Sequence, residues 1–156
     1  MIVSDTTTLI ILLDMQRFDL LSNLFETVLI PKSVYDELSY KSDVSLPDFM
    51  QIKTLIDTSS LTTFNMLLDK GEAEAIALAI ELNKPLIIDE KKGRKIAKNC
   101  GLKIIGLLGI VYLNIQKNHI SIQEAKEFLD CAISNGYRIS QKLIDDMFEK
   151  VNDLIA

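Results

Sequence analysis

The sequence predicts an α/β protein in which a central parallel β-sheet is covered on both faces by helices. Short, largely apolar runs alternate with longer segments of helical periodicity, which is the order expected of parallel strands joined by helices. The runs carry few polar residues, as in strands that are buried on both faces. The chain has 156 residues, 48% of them hydrophobic. That is enough for one domain with a sizeable core, and we expect residues 1–156 to form it.

The N-terminal half of the chain is predicted to contain three strands and four helices. Short buried runs predict strands at Met1–Asp5, Val28–Ile30 and Met50–Ile56. Apolar residues at helical spacing predict helices at Thr6–Leu13, Met15–Phe25, Ser33–Tyr40 and Leu61–Leu68. Pro31 ends the second strand, and the polar stretch Lys41–Pro47 is predicted to be a loop.

The C-terminal half is predicted to contain two more strands and five helices. The strands are Pro85–Ile88 and Lys103–Ile105. The helices are Gly71–Asn83, which is rich in alanine, Lys91–Cys100, Gly106–Gln116, Ser121–Ser134 and Ser140–Ile155. Ser121 followed by Glu124 is a capping-box pattern that marks a helix start.

Composition excludes several classes of function. Seventeen basic and twenty-two acidic residues give a net charge of −5, which excludes a simple polycationic nucleic-acid binder. The single histidine, His119, makes a Ser-His-Asp or Cys-His hydrolase improbable. Cys100 and Cys131 lack zinc-site spacing, and we expect both to be reduced and buried. We see no membrane span or signal peptide and expect a cytoplasmic protein.

Four acidic residues fall where predicted strands and helices meet. Asp5 and Asp89 each follow a strand, Glu37 lies in the helix after the second strand, and Glu72 lies in the first turn of its helix. Ligand chemistry in parallel sheets gathers beyond the carboxyl ends of the strands. Four carboxylates at one edge would repel one another unless cations lay among them. The pattern therefore indicates a divalent-metal site with oxygen ligands.

Each acid taken singly also has a structural interpretation. Asp5 and Asp89 are suited to cap the helices that follow them. Glu72 lies three residues after Asp69, which is the spacing of a capping box. Glu37 fits such a role less well, because it is predicted to lie half-buried beside an apolar helix face with no basic neighbour.

Several motifs together resemble a PIN domain. They are Ile2-Val-Ser-Asp5-Thr-Thr-Thr-Leu-Ile, Ile30-Pro-Lys-Ser-Val-Tyr-Asp-Glu37-Leu, Gly71-Glu72-Ala-Glu74-Ala-Ile-Ala-Leu-Ala79, Leu86-Ile-Ile-Asp89-Glu-Lys-Lys-Gly-Arg94-Lys-Ile-Ala97 and Gly106-Leu-Leu-Gly109. They are similar to a prokaryotic PIN subgroup of predicted nucleic-acid-binding proteins. The resemblance covers residues 1 to about 120, and the helices from about 121 look like a family tail. It implies a three-layer fold.

The resemblance also implies an activity. It implies a Mg²⁺- or Mn²⁺-dependent ribonuclease similar to the VapC toxins of toxin–antitoxin pairs, in which Asp5, Glu37, Glu72 and Asp89 match the four acids. In that chemistry the ion activates the water that attacks phosphorus. Glu74 and Glu90 leave two of the four positions ambiguous. Residues two apart on a helix point in different directions, and our choice is Glu72 over Glu74 and Asp89 over Glu90.

Substrate and partners are also expected from these patterns. Thr6 and Thr7 match positions where the family carries hydroxyls that orient water or carboxylates; alternatively they cap the helix start. The segment 91–103 holds six of the seventeen basic residues, and Lys91, Lys92, Arg94 and Lys95 are candidates to bind RNA phosphates, unless they form a solvated helix face. The expected partners are RNA, an antitoxin protein and a second copy of the chain.

Two other classes of function compete with the nuclease. One is a PIN-like module that binds RNA or protein without catalysis. The other is a receiver-like domain phosphorylated on Asp5 or Asp89, in which Glu37 and Glu72 would be placed by coincidence. Metal binding separates the first from a nuclease.

Overall fold

A computed structural model of the protein describes residues 1–41, 43 and 45–155, and these contain one five-stranded sheet. Its strands are β1 (Ile2–Ser4), β2 (Val28–Ile30), β3 (Met50–Ile52), β4 (Leu86–Ile87) and β5 (Ile104–Ile105). All four pairings are parallel, and the spatial order is β3-β2-β1-β4-β5. Because β1 lies in the middle, the residue that follows it emerges between the ends of β2 and β4.

Nine helices connect and cover the strands in the described residues. They are α1 (Thr6–Asp14), α2 (Asp19–Ser22), α3 (Lys32–Lys41), α4 (Leu61–Leu67), α5 (Lys70–Leu82), α6 (Lys91–Asn99), α7 (Leu107–Gln116), α8 (Ile122–Ser134) and α9 (Gln141–Ile155). The α/β fold with a central parallel sheet between layers of helices is therefore confirmed.

The sheet buries a separate apolar cluster on each face. Successive strand residues point to opposite faces, so Ile2 belongs to one cluster and Val3 to the other. The larger cluster includes α1, α7, α8 and α9, and the smaller one is built mainly from the alanine-rich α5. Small side chains let α5 pack closely against the strands, which brings its first turn to the edge of the sheet.

Two predicted helix starts have the expected hydrogen bonds. The Asp69 carboxylate accepts from the Glu72 backbone N–H at 2.8 Å at the start of α5. The Ser121 hydroxyl oxygen accepts from the Glu124 N–H at 3.0 Å at the start of α8. Each cap satisfies a backbone donor that has no partner within the helix.

Two predicted elements are shorter than their patterns indicated. In the range Met15–Phe25 only α2 is helical, because Gln16 adopts a left-handed conformation (φ 56°) that ends α1. The predicted strand Met50–Ile56 ends at Ile52. Its neighbour β2 ends at Ile30 and α3 begins at Lys32, so β3 has no strand to pair with beyond the Lys53 N–H, which donates to the Ile30 carbonyl at 2.9 Å. The predicted loop Lys41–Pro47 lies partly outside the described residues.

The cysteines differ from expectation, since Cys100 and Cys131 are both exposed. Each lies at or near the C-terminal end of a helix, on the side away from the core.

No helix in the described part of the chain has the length and apolar character needed to cross a bilayer.

Asn114 is a buried polar residue that joins α7 to α2. Its side-chain amide donates to the carbonyls of Leu20 and Ile110, both at 2.9 Å, and its oxygen accepts from the Asn23 amide at 3.0 Å. Replacing it with leucine leaves the Leu20 carbonyl unpaired in the core, and we expect the free energy of unfolding to fall by about 1–3 kcal/mol. Urea denaturation measures this change. The exposed Asn65→Ala is the control, expected within about 0.5 kcal/mol of wild type; an equal effect of both variants would contradict the assignment.

Candidate metal centre at the carboxyl edge of the sheet

Asp5 directly follows the central strand and is 3% exposed. It occupies the N-cap position of α1, but its side chain makes no capping hydrogen bond. Its Oδ2 atom is buried and has no hydrogen-bond partner among the described residues. Capping therefore does not account for this side chain. A buried carboxylate oxygen without a partner is unfavourable in a protein interior and is a position that a cation would stabilise.

Other acids surround Asp5 and raise its pKa. Burial has the largest effect, and the negative charges of Asp69, Glu37 and Asp89 add to it, so the pKa rises from 3.8 to about 7. Both effects disfavour the ionised carboxylate. Asp69, Glu37 and Asp89 therefore lie near enough to Asp5 for their charges to act on its pKa.

Glu37 reaches the cluster from α3 across Gly71. Its Oε1 atom lies too close to the place where a Cβ on Gly71 would be, so a larger residue at position 71 would make the carboxylate move. Burial of the carboxyl group and then the charge of Asp69 raise its pKa. The residue as a whole is exposed, so the expected half-buried position is wrong. The acid end points toward the sheet edge while the stem lies at the surface.

Glu72 and Glu74 lie two residues apart on α5 and face different neighbours. Glu72 is 7% exposed, and its Oε2 lies 2.8 Å from the point where a Cβ on Gly93 would be. Burial, Asp69 and Asp5 raise its pKa. Glu74 instead accepts a hydrogen bond from the Ser33 hydroxyl at the start of α3. The structure therefore brings Glu72 to the acid cluster and uses Glu74 to join two helices.

Asp89 lies beside Asp5 and also holds α7. One oxygen accepts from the Leu107 N–H at 3.0 Å, and the other accepts from the Thr8 hydroxyl. Asp89 thus caps α7 rather than α6, the helix that follows it in sequence. The N-cap residue of α6 is Glu90, whose charge contributes to raising the pKa of Glu72. Both members of this ambiguous pair therefore border the cluster.

Two neighbours of the cluster were missed from sequence. Asp69, interpreted only as a helix cap, raises the pKa values of Asp5, Glu37 and Glu72. Thr8 holds Asp89, whereas the motif pointed to Thr6 and Thr7. Thr8 lies three residues after Asp5, on the same face of α1, and that spacing is the signal that could have found it.

Thr6 and Thr7 differ in their surroundings. The Thr6 hydroxyl is buried, has no partner among the described residues, and lies 3.2 Å from the position of a Cβ on Gly71, where Glu37 also converges. Thr7 is partly exposed and lines a cleft next to Asp89. Thr6 can therefore orient a carboxylate or a ligand within the cluster, and Thr7 faces a different space.

The basic residues of α6 separate into two groups. Lys91, Lys92 and Lys95 are exposed, and Lys91 lines the cleft beside Asp89. Arg94 is partly buried, and its guanidinium donates to the Ile88 carbonyl at 2.9 Å, which fastens α6 to the end of β4. The three lysines are free to meet solvent, whereas Arg94 makes a structural contact at the base of the site.

The donor set fits a hard divalent cation in its chemistry. All the converging ligands are carboxylate oxygens, and Asp5 Oδ2 has no partner. Within residues 1–41, 43 and 45–155, no three side chains already enclose one point closely enough to hold an ion.

The fold and the cluster define a parallel α/β protein with an acidic site beyond its central strands. A family model described as a PIN domain matches residues 1–153, and the chain belongs to the PIN-domain family. A search of curated proteins finds no match to this chain. PIN domains are generally nucleases that use divalent metals, so the family defines a nuclease-like fold here.

The raised pKa of Asp5 predicts how stability depends on pH in EDTA. The folded state holds this proton up to about pH 7, whereas the unfolded state loses it near 3.8. The free energy of unfolding therefore falls as pH rises through this window, by at most about 1.4 kcal/mol per pH unit for one group. Asp5→Asn removes the contribution of Asp5, and its unfolding free energy should vary less between pH 5 and pH 8.

Urea denaturation of both proteins at the two pH values measures this difference. The control is Asp36→Asn, an exposed acid paired with Lys32, which should keep the wild-type dependence. An Asp5→Asn protein with the wild-type dependence on pH would show that Asp5 is not strained by burial.

Proposed function

We propose that the protein is a Mg²⁺- or Mn²⁺-dependent endoribonuclease. The observation that carries the proposal is the buried, unpartnered oxygen of Asp5, surrounded by the carboxylates of Glu37, Asp69, Glu72 and Asp89. Without a bound cation, this buried carboxylate lowers the stability of the folded protein. Membership of the PIN-domain family supports nuclease activity as the function of this acidic site.

Each residue has a role in this proposal. Asp5, Glu37, Glu72 and Asp89 hold the ion or ions, and Thr6 orients the nearby carboxylates. A bound divalent ion supplies activation of water and charge stabilisation for hydrolysis of a phosphodiester. The phosphates of the RNA are attracted by Lys91, Lys92 and Lys95. Arg94 instead fastens α6 to the end of β4 through the Ile88 carbonyl.

The finer parts of the proposal rest on the resemblance of the motifs. They are the preference for RNA, the role as the toxin of a VapBC-like pair, restraint by an antitoxin protein and assembly as a homodimer. Support for an RNA substrate also comes from the exposed lysines that begin α6 next to Asp89. Cleavage assays on RNA and DNA of the same sequence test the preference directly.

One observation favours a second candidate, a PIN-like module that binds RNA or protein without catalysis. Both oxygens of Asp89 already accept hydrogen bonds, from Leu107 and Thr8, as a purely structural acid would. In that case the protein binds Mn²⁺ weakly or not at all. Calorimetric titration with Mn²⁺ separates the two candidates.

Substitution of the acids tests the nuclease. Asp5→Asn and Glu72→Gln keep the side-chain shape but remove charge, and we expect each to lower Mn²⁺ affinity and to reduce RNA cleavage by about 100-fold or more. The matched control is Glu74→Gln, two residues away on the same helix, which keeps an acceptor for Ser33 and should cleave at nearly the wild-type rate. Circular dichroism verifies folding of each variant.

The opposite pattern would contradict the assignment. If Glu74→Gln is inactive and Glu72→Gln is active, the third ligand is Glu74. If Asp5→Asn cleaves RNA as wild type does, the cluster is not the active centre.

Gly71→Ala tests the position of Glu37 without changing any charge. The added methyl group occupies the place of Glu37 Oε1, so the flexible carboxylate must move away from the cluster. We expect Mn²⁺ affinity to fall about tenfold while the free energy of unfolding changes by less than about 1 kcal/mol. Calorimetry and urea denaturation measure the two quantities. A loss of stability with unchanged metal affinity would place Glu37 outside the ligand set.

A further inference from the structure

A cleft of about 290 Å³ adjoins the acid cluster. Asp89, one of the acids of the cluster, lines it together with Glu90 and Thr7, so the cleft and the cluster share Asp89. The rest of its lining comes from α1, the starts of α6 and α7, and the segment that joins α8 to α9. The cleft therefore brings the C-terminal helices, from residue 121 onward, to the edge of the candidate metal centre.

Two cations line this cleft without a carboxylate partner in the described part of the chain. They are Lys91, from the start of α6, and Arg138, from the segment between α8 and α9. The ion pairs found in the described residues are Arg17 with Asp19 and Lys32 with Asp36, so neither cation of the cleft forms a direct ion pair, although the carboxylates of Asp89 and Glu90 line the same cleft. A guanidinium without a partner beside a cleft is suited to bind a phosphate through two hydrogen bonds.

Arg138 is held in place by the residue before it. The Tyr137 hydroxyl donates to the Asp14 carboxylate at 2.7 Å, and the Tyr137 N–H donates to the Ala132 carbonyl at 3.1 Å. Asp14 is the last residue of α1, the helix that begins directly after Asp5. The turn is completed by Gly136 at φ 93°. This anchoring fixes the main chain next to Arg138, whose side chain is exposed.

The remaining wall of the cleft is apolar. Ile11, Leu108, Ile139 and Leu143 line it, and Leu143 is 56% exposed. A cleft that combines apolar side chains with cations matches a nucleotide, which has a flat base and a charged phosphate. The volume is at the small end of ligand sites and fits one nucleotide rather than a base pair.

We propose that this cleft binds the nucleotide next to the scissile phosphate of single-stranded RNA, with Arg138 and Lys91 on its phosphate and the apolar wall against its base. The proposal rests on the proposed ribonuclease function and adds to it a substrate-binding residue outside the PIN motifs. It also gives the C-terminal helices a role in positioning the substrate.

The first experiment measures binding without cleavage. A fluorescein-labelled single-stranded RNA is titrated with the full chain carrying Asp5→Asn, in Mg²⁺, and fluorescence anisotropy is recorded at several salt concentrations. Adding Arg138→Ala should weaken binding about tenfold and reduce the salt-dependence slope by about 0.7, the value for one phosphate contact on a single strand. Lys142→Ala, an exposed cation of α9 that does not line the cleft, is the matched control and should leave both unchanged.

A second variant separates binding from a general structural effect. Tyr137→Phe keeps the ring in place but removes the bond to Asp14, so it should weaken RNA binding by less than Arg138→Ala and leave the salt slope nearer to that of the parent. The melting temperature of each variant is recorded. An Arg138→Ala protein with the parent affinity and slope overturns the proposal, and so does absence of measurable RNA binding by the parent.

Cleavage by the chain with Asp5 intact distinguishes this proposal from the function on which it rests. If both hold, Arg138→Ala raises KM with little change in kcat. If the wild-type chain cleaves nothing but Arg138→Ala still weakens RNA binding, the cleft assignment stands and the nuclease fails. If cleavage requires Asp5 but does not change with Arg138→Ala, the nuclease stands and the cleft assignment fails. Binding of a peptide that RNA does not displace would identify the cleft as a protein-docking site and also overturn the proposal.

Discussion

Burial of the Asp5 carboxylate beyond the middle strand is the constraint on which the rest of the site depends. The parallel order of the sheet places β1 between β2 and β4, so the acid that follows β1 has other element ends on both sides. Burial and neighbouring negative charges raise its pKa to about 7, and one of its oxygens has no partner. A fold that maintains such a group carries an unfavourable interaction that only a bound cation or proton relieves.

Close packing around Asp5 keeps its carboxylate buried near the other acids. The main chain at Gly71 and Gly93 leaves the space that the carboxylates of Glu37 and Glu72 occupy. Thr8 and the Leu107 N–H hold Asp89 at the other side. Three segments far apart in sequence are therefore fixed against the end of one strand. These buried and mutually repelling carboxylates lower the stability of the fold, as is common where proteins bind ions or substrates.

The C-terminal helices, which the family model covers to residue 153, reach the edge of the acid cluster. They pack on α7 and complete the larger apolar cluster, and the turn between them reaches back to α1 through Tyr137 and Asp14. Because α1 begins at Asp5, the same helix supports the acid cluster at one end and this turn at the other. The main chain next to Arg138 and the acid that precedes α1 are thereby joined through one helix.

The order of strands and helices was determined by the sequence, because local periodicity decides which short runs are buried and which segments are helical. The placement of Asp5 and Asp89 after strands followed from the same patterns. Element ends were predicted less well at Gln16 and Ile52, because a left-handed residue ends α1 and the end of the neighbouring strand β2 leaves β3 without a partner.

Only the tertiary structure decided which side chains meet. Glu72 and Glu74 look alike in sequence, and packing of α5 against α3 turns one toward Asp5 and the other toward Ser33. Arg94 belongs to a basic segment, yet its guanidinium is bonded to the end of β4. Arg138 carries no local signal at all. Such contacts join residues tens of positions apart, and no periodicity within one segment contains that information.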